Sequence, residues 1–216
     1  VMIYGGSSLS GVPWETIVTE FRGGASGTRP ATLAECEGRF FDYVIESIIP
    51  RIPRWHRERS LAELSNRVLD ALFSEVEEIG ATLDSALGSR ESDSLVDGLN
   101  LDRSSLDAEF VASVVRQRLA GSGASERRVR ETAAIVGGRV LTGEVPGGGL
   151  TGVVFSGFGG TELMPSVCHR SVLGVAGTEL LTGGFWTKSV DSRAEALVLP
   201  FAQTTEAVMF LMGIDP

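Results

Sequence analysis

The residues of this chain that could do chemistry are few, and they cluster at a handful of positions. Cys168 and His169 are adjacent, the pair that a thiol nucleophile and its imidazole base would need. Neighbours on a strand project to opposite faces, so the spacing predicts one residue in, one out, and no dyad. The loop 5–11, GGSSLSG, lies between a strand-like and a helix-like stretch, the setting in which backbone amides cradle a phosphate. It has neither the GxGxxG nor the GxxxxGKS spacing and carries no lysine, so tight turns are expected instead. A second glycine cluster, GFGG at 157–160, runs into an acidic TEL and not into a helix start, and again predicts a turn. Arg127, Arg128 and Arg130 could form an anion site. With Glu126 and Glu131 alongside, they predict a solvated helix face. The only histidines, His56 and His169, are far apart and lack CxxC or HxxxH partners, so no metal and no cofactor is expected. Glu15 at a helix start is explained by the helix dipole. Gly27-Thr28, a bond whose cleavage would free a threonine amine, lies in a polar linker and not ahead of a strand.

Composition narrows the setting. Nineteen Lys and Arg against 28 Asp and Glu give a formal net charge of −9. That balance argues against nucleic acid and anionic membrane as partners, since phosphate binding needs clustered cations. The sequence contains no apolar run long enough to span a membrane and no basic-then-apolar leader. Two cysteines, Cys36 and Cys168, make no disulfide framework, and a reducing cytoplasm is expected. The chain begins at Val1 inside the strand-like VMIY, which predicts an excised piece of a longer protein.

The elements that must position these residues fall into three regions. In residues 1–53, VMIY reads as a strand. Pro13 opens a helix with Trp14, Ile17, Val18 and Phe21 on one face, and a capping box from Thr32 to Glu35 opens a second helix. That helix continues through Phe40, Phe41, Val44, Ile45 and Ile48 and stops before Pro50 and Pro53. Residues 54–146 read as helical: one helix with a capping box from Ser60 to Glu63, a Ser- and Asp-rich mobile loop at 88–105, a helix spanning Leu106 to Leu119, and another from near Ser125. Residues 147–216 read as β-rich, with strands in GVVFSGF, SVCHRSVLGV and EALVLPF, the aromatic bulk of Phe185 and Trp186, and a short terminal helix in TTEAVMFLMG. By residue chemistry alone this is an α/β domain.

Three strings add to that reading. MIYGGSSLSGVPWETIVTEFR, GVVFSGFGGTELMPSV and LVLPFAQTTEAVMFLMGIDP resemble segments of bacterial proteasome-related proteins of the N-terminal-nucleophile hydrolase class. The resemblance covers residues 1–49 and 151–216 and covers the middle poorly, so 54–146 is expected to be a helical insertion. The resemblance implies a four-layer αββα sandwich with stretch 153–158 in an inner sheet. Trp14 and Phe21 would pack one helix on it, and Phe40, Phe41 and Val44 the next. It further implies a threonine-type peptidase or amidohydrolase acting on a peptide or amide substrate, with a possible homo-oligomer. The nucleophile in that class is the mature N-terminal residue, with its α-amine as base. Lysine and carboxylate helpers lie on nearby strands, all expected upstream of Val1. By the same resemblance, Gly5 and Gly6 could offer backbone amides to substrate or an oxyanion. Two alternatives stay open: a non-catalytic assembly or binding protein on the same fold, and an unrelated α/β ligand-binding domain.

Overall fold

A computed structural model describes residues 1–24, 29–79, 107–146, 151–190, 199 and 201. Gly27-Thr28, the loop 88–105, Leu106, the terminal helix and most of the EALVLPF strand lie outside the described residues. The protein is mixed α/β, and its residues group into two compact units. The first comprises 1–44, 149–172 and 184–216, and the second 45–148 and 173–183.

The first unit is built on a sheet. Strands β1 (Met2–Tyr4), β4 (Thr151–Gly157), β5 (Ser166–Ala176) and β6 (Glu179–Ser189) form a four-stranded sheet in the order β1-β4-β5-β6. β4 runs antiparallel to both β1 and β5. The loop 5–11, expected to form tight turns, leads through a miniature hairpin, β2 (Ser8–Leu9) against β3 (Val12–Pro13). Its two turn residues, Ser10 and Gly11, both have positive φ, at 45° and 87°. That is the geometry of a primed turn, whose twist matches antiparallel strands. Ser7 then accepts the Trp14 amide at 3.1 Å, so the first amide of helix α1 (Trp14–Gly24) is already paired. Pro13 closes β3 and the helix begins one residue later. Trp14 and Ile17 are buried, as the spacing predicts.

Helix α2 (Leu33–Tyr43) begins where the capping box places it. The Thr32 hydroxyl accepts the Glu35 amide at 3.1 Å, but the Glu35 carboxylate reaches past Thr32 to the Ala31 amide at 2.6 Å. Removing the cap with Thr32→Ala should cost about 1 kcal/mol of stability, measurable as a lower urea midpoint. The helical path does not stop before Pro50. It widens into a π turn (Val44–Ile48) and tightens into a 3-10 turn (Ile49–Arg51). Pro50 has no amide to donate, so a regular ladder cannot continue through it. The extra residue rotates the helix face and leaves Ile45, expected in the core, 43% exposed.

The second unit is a three-helix packing of α3 (Arg54–Ile79), α4 (Ala108–Arg118) and α5 (Glu126–Thr142). α3 starts at Arg54, so Ser60 and Glu63 lie inside it and form no capping box. Glu63 instead pairs with Arg59, and Arg54 with Glu58, one turn apart. Leu61, Leu64, Val68 and Leu69 of α3, Val111 and Val115 of α4, and Val136 and Val140 of α5 share one core with Ala176 and Leu181. Asp107 caps α4 and Ser125 caps α5. Arg57 donates to the Gly177 carbonyl at 2.8 Å. The arginines expected on a solvated face lie on one, with Arg127 and Arg128 both pairing with Glu131.

Candidate functional site

The first unit's sheet has two chemically distinct faces, fixed by the antiparallel register. Phe155 stands opposite Cys168 and Val153 opposite Arg170, so these four side chains share one face. Val154 stands opposite His169 on the other face, which Tyr4 also occupies. Cys168 and His169 therefore do point apart, and no thiol–imidazole dyad forms. Both are buried, however, at 0% and 7% exposure, because each face is covered and neither neighbour reaches solvent. Cys168 accepts a long bond from the Thr187 hydroxyl at 3.6 Å, and burial raises its thiol above the usual range. A thiol held neutral in this way is a poor nucleophile.

His169 has a different partner. The Tyr4 hydroxyl lies 2.8 Å from His169 Nε2. Strand β4 separates β1 from β5, so this bond spans a whole strand. Gly152 makes the span possible. It pairs with Tyr4 across the ladder, and a Cβ there would sit 2.1 Å from the Tyr4 ring. The tyrosine ring occupies the place of the missing side chain and reaches the imidazole beyond. Trp186 stacks on His169 at 5.1 Å between centroids, and Phe201 lies 5.8 Å from Tyr4 and 6.0 Å from both His169 and Trp186. Burial in this aromatic setting lowers the pKa of His169 and raises that of Tyr4, so both are neutral near pH 7. His169 Nδ1 is buried and has no hydrogen-bond partner among the described residues.

Gly5 and Gly6 follow directly at the end of β1. Gly5 adopts φ of 83°, a conformation that favours glycine. A Cβ on Gly6 would lie 2.5 Å from the Thr151 hydroxyl, and that hydroxyl reaches the Gly6 carbonyl at the long limit of 3.5 Å. The turn thus lies at the start of β4, adjoining the Tyr4–Gly152 crossing.

The opposite face carries two groups that sequence reasoning did not single out. Glu37, 3% exposed, receives Arg170 in a two-pronged ion pair, with Nε at 2.5 Å and Nη2 at 3.2 Å. The Arg170 guanidinium also lies 4.9 Å from the Phe41 ring centroid and 4.7 Å from that of Phe185. Glu162, the acidic residue after GFGG, accepts the Gly159 amide at 2.5 Å and the Leu33 amide at 3.0 Å. A carboxylate at the first turn of α2 matches that end of the helix dipole. The signals were present in the sequence: Glu37 interrupts the apolar stripe of α2, and Glu162 follows a glycine turn. Among the described residues, no cluster of His, Cys, Asp or Glu could hold a metal ion. No helix among them is long and apolar enough to cross a membrane. No protein family, curated protein or solved structure matches this chain.

Proposed function

We propose that this chain forms scaffold of a proteasome-like N-terminal-nucleophile hydrolase, a threonine-type peptidase or amidohydrolase whose substrate is a peptide or amide. One observation supports this reading above the others. Two of the strings that carry the resemblance, MIYGG and GVVFSGFGG, are hydrogen-bonded neighbours, with Met2 opposite Val154 and Tyr4 opposite Gly152. The Gly5–Gly6 turn stands at that seam and is the proposed contact for a substrate backbone or oxyanion. Burial on both faces of the sheet is compatible with the finer reading of a four-layer αββα sandwich, in which Phe40 lies against Phe155 at 5.3 Å on the helix side. A cytoplasmic homo-oligomer belongs to the same reading. Phe158, Leu163 and Met164, at 53%, 92% and 55% exposure, offer apolar surface for assembly.

The packing of Gly6 against Thr151 favours a second reading, a non-catalytic assembly or binding protein on the same fold. A covalent probe separates the two. The full-length gene product, treated with an electrophilic β-lactone, is expected to gain the mass of one acyl group on an N-terminal threonine. Intact-mass spectrometry with no adduct, together with no cleavage of peptide amides, would remove the enzyme reading.

A further inference from the structure

We propose that the Tyr4–His169 hydrogen bond is a protonation-sensitive latch that holds strand β1 on the sheet. The inference rests on the geometry of the aromatic face and stands independently of the catalytic reading. Among the described residues β1 is an edge strand, paired with β4 at Met2, Ile3 and Tyr4, with Val1 and Met2 exposed. A ladder of three residue pairs contributes little by itself. What fastens it further is Tyr4, whose ring crosses β4 over Gly152 and bonds His169 on β5.

The latch depends on a neutral imidazole. His169 is enclosed by Tyr4 of β1, Val154 of β4, Trp186 of β6 and Phe201. A cation, Lys188, lies beside this stack, with its Nζ 5.5 Å over the Trp186 ring. No carboxylate among the described residues bonds either ring nitrogen, and Nδ1 is unpartnered. A proton on His169 would therefore place a buried positive charge with no counter-ion among the described residues. With both ring nitrogens protonated, Nε2 can only donate to the Tyr4 hydroxyl, and the Nδ1 proton has no acceptor among the described residues. In an opened state the imidazole binds its proton near the ordinary value of 6.5, whereas burial keeps the closed one neutral to lower pH. The latch is at full strength above pH 6.5 and weakens as pH falls through that value.

Hydrogen exchange with mass spectrometry on the 216-residue chain tests this directly. Protection of the peptide carrying β1, corrected for intrinsic exchange, is expected to fall about tenfold between about pH 7.5 and about pH 5.5. The α5 peptide should keep its protection. In His169→Gln the pH dependence at β1 should vanish. Equal loss in His169→Gln, or no loss in the unsubstituted protein, overturns the latch. Should His169→Gln not fold, Tyr4→Phe decides, since it keeps the ring over Gly152 and removes only the hydroxyl. β1 protection in Tyr4→Phe is expected to be low at both pH values, and wild-type protection there would overturn the proposal.

Discussion

Gly159→Ala is expected to destabilise the first unit by about 3 kcal/mol, because the methyl group has nowhere to go. A Cβ at this position would lie 2.3 Å from the Ala31 carbonyl oxygen and 2.4 Å from the Thr32 Cα. Both are backbone atoms, and a clash with backbone cannot be relieved by changing a rotamer. The surrounding bonds hold the two segments in place: Gly160 donates to Pro30 at 2.7 Å, Thr161 to Ala31 at 3.0 Å, and Glu162 accepts the Leu33 amide. Separating the segments to admit a methyl group would lengthen all of these and strip the first turn of α2 of its carboxylate. Gly38→Ala, within α2 of the same unit, provides the contrast, since nothing lies within 4 Å of its Cβ position. That change should raise stability by about 0.5–1 kcal/mol through helix propensity alone. Urea denaturation of the two variants should move the midpoint in opposite directions. A midpoint for Gly159→Ala at or above the unsubstituted value would show that the loop does not approach the backbone this closely.

What could be read from the sequence follows from how local each signal is. The cap at Thr32 was legible because a hydroxyl at the N-cap bonds an amide only three positions away, and the helix start near Ser125 uses the same bond. The same locality misled at Ser60, where the Ser-x-x-Glu spacing falls inside a helix already running from Arg54. There the arginine–glutamate pairs one turn apart, with Pro53 just ahead of the helix, were the better signals. The GGSSLSG loop could be excluded as a phosphate cradle from its spacing. Its hairpin geometry required a positive φ at Ser10, a non-glycine residue. Alternation along β5 placed Cys168 and His169 on opposite faces, but could not show that both faces are covered. That depends on α2 on one side and on Tyr4, Trp186 and Phe201 on the other. The Tyr4–His169 bond links positions 165 apart and exists only because the strand register sets Gly152 beside Tyr4. No local pattern encodes such a register. The proteasome-like reading rests on motif strings, and the structure adds that two of them lie side by side.

Breaking the Glu37–Arg170 pair from one side is expected to cost more than removing it from both. Glu37→Leu leaves Arg170, with its side chain 27% exposed, wedged between Phe41 and Phe185 without a counter-charge. Arg170→Met leaves Glu37, with its side chain 4% exposed, as an unpaired carboxylate beneath α2. Losing one partner of a fully buried pair costs about 3–5 kcal/mol, and the partial exposure of Arg170 reduces this to about 2–4 kcal/mol for Glu37→Leu. Arg170→Met should be the worse of the two, because the better-buried charge is the one left behind. In the double variant no charge is stranded, and two apolar side chains can fill the space between Phe41 and β5. Its stability should therefore exceed that of Arg170→Met and fall within about 1.5 kcal/mol of the unsubstituted protein. A double-mutant cycle measured by urea denaturation reads this coupling directly. Additive losses would mean that the pair is solvated and that α2 is held on the sheet by apolar packing such as that of Phe40 on Phe155. A strong coupling would identify Glu37 as the reason the apolar stripe of α2 tolerates a carboxylate at its centre: it receives the one cation that β5 presents to that face of the sheet.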